Sequence, residues 1–499
     1  MKQGRYILSL DQGTTSSRAI LFSGRGEIVG MGQKTFQQHY PQPGYVEHDA
    51  EEILSTQIYA MHAALENAGV SADQIDAIGI TNQRETTVAW DAQTGKPIYH
   101  AIVWQCRRTA PECEKLKAEG WEDYIHETTG LILDAYFSGT KMKWYLDNVP
   151  EAKALAAEGR LRFGTIDTWL IYCLTKGKSY VTDVSNACRT MLFDINKLAW
   201  DEKIMQRLGI PASALPQVVQ SSGIVGYCSS EILGCEIPIA GIAGDQPSAL
   251  FGQCCFDAGM AKNTYGTGCF VLMNAGDKPV MSKSGLLTTI GWQLDGKVAY
   301  ALEGSAFNAG SAIDWLRDGL ELIEKPSEAD MLAESVEDCG GVYFVPAFTG
   351  LGAPYWDMYA RGGVMGMTRG TTRAHFARAV LESLALESYD LFHAMENDIG
   401  MKIKELRVDG GASKSRFLMQ FQCDLLECSV LRPECLETTA LGAAMLAGLA
   451  VGMWDGLDEL RTIWKSRTTF QPEMSKEWVE QKVAKWHKAV ERCLAWEKD

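Results

Sequence analysis

The run IPIAGIAGDQPSALFG, from Ile237 to Gly252, sits at the middle of a 499-residue chain and sets its class. Ile237, Ile239 and Ile242 form a short apolar run of the kind that makes a buried strand. Gly241 and Gly244 flank its end, and Asp245 and Gln246 follow. Pro247 suits a first helical turn, where its missing N–H would have had no partner. Strand, carboxylate and helix in that order describe the edge of an open α/β sheet, where ligands bind beyond the carboxyl ends of the strands. Asp is also a favoured helix cap. This stretch alone leaves a binding role and a capping role for Asp245 both open.

The N-terminus supplies a second feature. YILSL reads as a strand, DQGTTSSR as a tight turn, AILF as a second strand and IVGMGQKTF as a third. Gly13 lets the turn approach a ligand closely, and Thr14, Thr15, Ser16 and Ser17 set hydroxyls and N–H groups beside it. A phosphate cradle on a hairpin is one reading; a plain polar turn is the other. NTYGTGCFVLMN repeats the pattern, with Gly266 and Thr267 standing after a strand as Gly13 and Thr14 do. PSALFG after Asp245 likewise resembles TALGAAMLAG near the C-terminus. Two related cradles and two related helices imply duplicated halves facing a shared cleft, divided near residue 250: 1–250 and 251–499.

Composition narrows the class. Hydrophobic residues make up 46% and charged residues 22%, as in an ordinary globular protein. A formal net charge of −16 argues against nucleic acid or an anionic membrane as partner. Fourteen cysteines without C-x-x-C or zinc spacing read as buried free thiols in a reducing cytosol. The apolar run at the start is too short for a signal peptide. A long uncharged segment rich in Ala and Leu, Thr438 to Trp454, is 17 residues with three glycines; it falls short of a membrane span and reads as a buried helix. A cytoplasmic protein without membrane insertion is expected.

Several known phosphate and catalytic signatures are missing. There is no G-x-x-x-x-G-K-[ST], no G-x-G-x-x-G, no G-x-S-x-G and no H-E-x-x-H. GWQLDGKV reads as a D-G hairpin. Elsewhere, DQIDAIGITNQRETTVAWD reads as strand, loop and strand, with Arg84 and Glu85 adjacent in the loop; such neighbours are more often a solvated pair than a site. Trp104 stands at a strand end and Tyr136 before a helix, both core aromatics by default. ALEGSAFNAGSAIDWLRDGL reads as a turn and then an amphipathic helix around Ile313, Leu316 and Leu320. LRVDGGASKSRFLMQ is strand, Gly-rich turn and helix.

Taken together, DQGTTSSRA, GITNQRETT, AIVWQCRRT, YFSGTK, GIAGDQ, AKNTYGTGCF, FTGLGAPYWD, RVDGGA and TALGAA closely resemble the glycerol kinase branch of the FGGY carbohydrate kinases, a family within the actin/Hsp70/sugar-kinase fold. The resemblance runs in order from about Tyr6 to about Leu460. It implies an α/β protein of two actin-like (ribonuclease H-like) domains, each a mixed sheet flanked by helices, with a cleft between them. It also implies MgATP as phosphoryl donor, glycerol as acceptor, and a homodimer or homotetramer. Position by position, Arg84, Glu85, Trp104, Tyr136, Asp245, Gln246 and Phe270 would contact glycerol. Thr14, Thr15, Ser16 and Arg18 would hold phosphates with Thr267 and Gly310, Gly411 would lie near the adenosine, and Asp11 would organise magnesium through water. Asp245 would accept the proton from the attacked hydroxyl.

The chain departs from the family in two nucleotide-side positions, with Asp314 where Gln is common and Ser415 where Asn is common. It also carries Glu236 and Glu231 where regulated relatives have an Arg for fructose 1,6-bisphosphate and a phosphorylatable His, so neither control is expected. Two other readings remain: a kinase for another small polyol or triose such as dihydroxyacetone, and a nucleotide-dependent switch of the actin or Hsp70 type. The latter needs no polyol pocket, which the QRE, WQCRR and YFSG blocks imply.

Overall fold

In the computed structural model, which describes residues 5–498, the N-terminal hairpin seeds the first of two sheets. Strands β1 (Tyr6–Gln12), β2 (Ser16–Ser23) and β3 (Ile28–Thr35) form an antiparallel meander. The turn is tighter than the sequence suggests, only Gly13 to Thr15. The ladder continues to Asp11 opposite Arg18 and Gln12 opposite Ser17, because Asp11 and Arg18 form an ion pair across it. Helix α1 (Ala50–Ala68) covers one face; its N-cap Asp49 accepts from the N–H groups of Glu51 and Glu52. Strand β4 (Ile75–Asn82) then pairs parallel with β1. After a long excursion β5 (Ser222–Cys228) and β6 (Ile237–Gly244) complete a sheet ordered β5-β6-β4-β1-β2-β3. The uneven spacing of Ile237, Ile239 and Ile242 reflects a register shift between Ile239 and Gly241, an extra residue that returns the apolar side chains to the core. Helix α2 (Asp245–Gly252) follows.

The second half repeats the plan. Strands β7 (Met260–Tyr265), β8 (Cys269–Gly276), β9 (Leu287–Leu294) and β10 (Lys297–Ala306) are antiparallel. Asp295 and Gly296, both at positive φ, make the expected two-residue hairpin. The 27-residue helix α3 (Arg373–Ile399) leads to β11 (Glu405–Asp409), helix α4 (Arg416–Leu426) and β12 (Ser429–Pro433). Helix α5 (Thr438–Ala450) precedes β13 (Ser466–Phe470). The order is β9-β10-β8-β7-β11-β12-β13, with β11 parallel to both β7 and β12. Each half therefore holds a block of antiparallel strands extended by two parallel strands.

The seam between the halves is helix on helix. The uncharged stretch is, as expected, a buried helix: α5 packs on α2 and against the first sheet. Ser248 Oγ donates to Thr439 O at 2.7 Å and Ser9 Oγ to Ala440 O at 2.7 Å. A Cβ on Gly442 would lie 1.8 Å from Ser248 O, so only glycine permits this approach. Where the sequence suggests a turn at ALEGSA, β10 instead runs through Ala306, held by pairing to β8. The amphipathic helix there runs over Gly310–Asp314 and continues as a π-helical turn, Trp315–Gly319, burying Ile313 and Leu316 while Leu320 is exposed. All fourteen cysteines are free, and among the described residues no helix is long and apolar enough to cross a membrane.

Candidate active site

The loop after β4 carries a cluster of buried charges. Arg84 and Glu85 are not a solvated pair: they are 2% and 1% exposed. Two unlike charges enter a core together only when further partners complete them. Glu303 on β10 supplies one: Arg84 Nη1 and Nη2 donate to its two oxygens at 2.6 and 2.7 Å, a bidentate fork. Arg189 supplies the other, donating from Nε to Glu85 Oε1 at 2.5 Å and from Nη2 to Glu303 Oε1 at 3.3 Å. Burial by itself would raise the Glu303 carboxyl, but Arg189 and Arg84 overcome it and bring it down to about 2. Burial dominates for Glu85 and raises it in spite of Arg189 and Arg84. Glu85 sits at φ +59, a backbone conformation non-glycine residues rarely adopt. Its carbonyl accepts from Ser138 Oγ and Thr87 Oγ1, each at 3.0 Å, which holds the turn.

Asp245 lies against this cluster, with its Oδ1 3.1 Å from Arg84 Nε. It is not the helix cap. Gly244 occupies that position, and the Asp245 carboxylate accepts only from the N–H of Gln246, at 2.8 Å. Its side chain remains 34% exposed while its neighbours are sealed. Gln246 Oε1 accepts from Lys262 Nζ, which reaches across from β7 and also donates to Thr264 Oγ1 at 2.9 Å. Burial lowers the Lys262 ammonium to about 8, with Asp409, Asp245 and Glu303 opposing the drop.

A cavity of about 790 Å³ opens between the halves, bounded by Thr14 and Thr15 from one side and Thr267 and Gly268 from the other. Trp104, Tyr136, Phe270 and Glu303 also face it. The Trp104 and Tyr136 rings meet edge to face at 5.6 Å, and Trp104 Nε1 donates to Thr14 Oγ1 at 3.0 Å. The aromatic wall is thereby tied to the first turn. Asp245 and Gln246 do not line the cavity themselves; they adjoin it through Arg84 and Glu303.

The remaining candidates divide into two groups. Gly310 N donates to Gly266 O at 2.9 Å, and Ala309 N donates to Thr267 O at 2.8 Å, which joins Gly310 to the second turn. Gly410, at φ +85, brings the turn before Gly411 onto the same place: a Cβ there would meet Tyr265 O at 2.4 Å. Other side chains are already engaged. Arg18 bridges Asp11 and Glu437, the latter at 2.7 Å, and Ser16 Oγ accepts from Gln33 at 3.0 Å. Ser415 caps α4 and donates to Asp330, while Asp314 is exposed beside Arg317 at 3.0 Å.

Family models decide the larger group. Residues 6–252 match the N-terminal domain, and residues 261–451 the C-terminal domain, of the FGGY family of carbohydrate kinases. The chain belongs to that family. Across 99% of its length it is 58% identical to glycerol kinase 2 of Thermotoga maritima, of which it covers 100%. It is 59% identical to the glycerol kinase of Symbiobacterium thermophilum, over 98% of this chain and 99% of that one. The crystal structure of Plasmodium falciparum glycerol kinase with ADP superposes with a TM-score of 0.94 at 40% identity, covering 98% of each chain. A ligand-bound xylulose kinase from Lactobacillus acidophilus gives 0.86 at 22% identity over 98% of this chain and 96% of that one, a likeness of fold alone.

Within this FGGY kinase, Arg189, Glu303 and Lys262 are the residues that sequence reasoning missed. Their signal was a charge inside an apolar strand: Glu303 in KVAYALEGSA and Lys262 in MAKNTY. Reading ALEGSA as a turn hid the first. Arg189 follows a short helix, Val184–Ala187, and has no such pattern around it.

Proposed function

We propose that this FGGY kinase is a glycerol kinase, moving the terminal phosphoryl group of MgATP to glycerol to give sn-glycerol 3-phosphate and ADP. The observation that carries the reading is the buried Arg84–Glu85 pair beside an aromatic-walled cavity between two hydroxyl-bearing turns. A polyol hydroxyl both donates and accepts, so a cluster of arginine N–H groups and carboxylates suits both roles. Trp104, Tyr136 and Phe270 cover the carbon face and limit the acceptor's bulk. The turn at Thr14, Thr15 and Ser16 and the turn at Thr267, with Gly310, hold phosphates from either side. Gly411 borders the adenosine, near Asp314 and Ser415, and Arg18 reaches a phosphate on leaving its present ion pairs.

Asp245 takes the proton from the attacked hydroxyl. Its exposure, unlike that of Glu85 or Glu303, leaves it open to a bound acceptor. Arg84 Nε, 3.1 Å from Asp245 Oδ1, holds that carboxylate in place beside the acceptor. Phosphoryl transfer passes through a loose transition state, so positioning and charge neutralisation outweigh base strength.

Among the described residues no group of three His, Cys, Asp or Glu side chains is disposed around one metal. Magnesium needs no such cage; it keeps several waters and takes one or two carboxylates together with substrate phosphates. Asp11 fits that role, since its carboxylate at the end of β1, next to the first turn, already holds a cation, the Arg18 guanidinium. Bound there through water, the ion would neutralise developing phosphate charge.

We further read residues 1–250 and 251–499 as the two working lobes, and the enzyme as a cytoplasmic homodimer or homotetramer. The test is ADP release from MgATP with and without glycerol, comparing the wild type with Asp245→Asn. Glycerol-dependent turnover that falls by about 10²–10⁴-fold in the variant is expected for loss of a general base. Turnover surviving in the variant would remove that role from Asp245. No turnover with glycerol would overturn the reaction and make dihydroxyacetone the next acceptor to assay.

A further inference from the structure

Glu303 has a place in the acceptor site that positioning alone does not explain. It comes from β10 in the second half, crosses the seam and takes both outer nitrogens of Arg84. It also faces the cavity. Around it Arg84 and Arg189 face the buried carboxylates of Glu85 and Glu303, two charges of each sign, while Lys262 lies near Asp409, Asp245 and Glu303. At the rim of the cavity Arg107 and Asp134 pair at 2.6 Å. Two guanidinium groups set behind the cavity wall at Glu303 would by themselves make a strong anion site, because planar forks bind carboxylate and phosphate bidentately. Glu303 occupies that fork with a carboxylate the protein supplies.

Accepting the glycerol kinase reading, we propose that Glu303 is a specificity-determining residue: it fills the Arg84 fork with a carboxylate at the cavity wall, so that a neutral polyol binds and anionic three-carbon ligands are rejected. The rejected class includes glycerate, which differs from glycerol by a carboxylate, and the product glycerol 3-phosphate. A pocket holding an unopposed guanidinium would retain both. Weak product binding would then follow from the same side chain that orients Arg84.

The variant Glu303→Gln keeps the shape and removes one negative charge, leaving the Arg84 fork without its carboxylate. Calorimetric titration of glycerol and of D-glycerate into wild type and E303Q measures the discrimination directly. The ratio of affinities should move toward glycerate by about tenfold or more, the scale on which an unpaired buried charge alters partner choice. Glu303→Asp retains the charge but shortens the fork. It should weaken glycerol binding yet leave the ratio within about threefold of wild type. An unchanged ratio in E303Q, or an equal change in E303Q and E303D, would overturn the proposal. If thermal melting shows E303Q unfolded, Glu303→Ala titrated with and without formate reads the same quantity. Formate filling the vacated position must restore discrimination against glycerate, and an indifferent ratio overturns the role. Wild-type protein that binds no glycerol would instead overturn the reading of the reaction.

Discussion

Lys262 shows how one side chain couples the two halves. It stands on β7, donates to Gln246 on α2 and is sealed from water. Burial lowers it to about 8, against Asp409, Asp245 and Glu303, from an ordinary 10.5. The unfolded chain therefore binds the proton more tightly than the folded one. The cost of burying the ammonium, on the order of 3 kcal/mol, stands in full below about pH 8 and is relieved as pH rises toward 10.5. Function runs the other way, since the charged form is what holds Gln246 and offsets Asp245. The kcat/KM for glycerol is expected to fall above pH 8, by about tenfold per unit once the ammonium is lost. Lys141, which donates to the carbonyls of Tyr136 and Phe137, is also lowered to about 8 by burial. Lys262→Arg separates the two: an arginine stays protonated, so the alkaline limb should move beyond pH 10. A limb left at pH 8 in K262R would transfer it to Lys141.

At the scale of elements, the legible features are those that local chemistry dictates. The Asp295-Gly296 hairpin, the Gly-Thr turns and the uncharged helix α5 follow from φ preferences and from the absence of charge. Partners far apart in the chain were not legible. Nothing near Arg84 announces Glu303, 219 residues away, and reading ALEGSA as a turn removed the strand that presents it. The bland interpretation of Arg84–Glu85 failed for the same reason, because burial of a pair depends on charges supplied from elsewhere. The α2–α5 seam also lies beyond local reading, yet its requirement is strict. Gly442→Ala would place a methyl 1.8 Å from the Ser248 carbonyl, which is backbone and cannot rotate away. Overpacking of this kind costs about 1–3 kcal/mol or more. Because α2 begins with Asp245, G442A should lower glycerol turnover at 25 °C while the protein is still folded, as well as lowering the melting temperature. Gly24→Ala, where nothing lies within 4 Å, serves as the control and should change neither. Full activity in a folded G442A would show that the seam does not position Asp245.

At the scale of the whole molecule, the two sheets do not behave as beads on a string. Helix α5 belongs to the second half in sequence but lies on the first sheet: Ser222 Oγ donates to Leu446 O at 2.8 Å, and a Cβ on Gly79 would lie 2.2 Å from Ala443 O. The seam core includes Ile7 and Phe22 from the first sheet together with Leu441 and Met445 of α5. Opening the seam would expose this apolar surface and strand the Arg84–Glu303 and Arg18–Glu437 pairs, breaking buried ion pairs at about 3–5 kcal/mol where the partner is sealed. Neither half therefore has a complete core without the other, and calorimetry should record one cooperative unfolding transition. Glycerol and ADP should each raise that same transition, by about 2.7 kcal/mol when present at 100 times its dissociation constant. Two transitions, with glycerol moving only one and ADP only the other, would mean that the lobes are thermodynamically separate. The shared helix would then be a contact and not the common core that its glycines and hydroxyls describe.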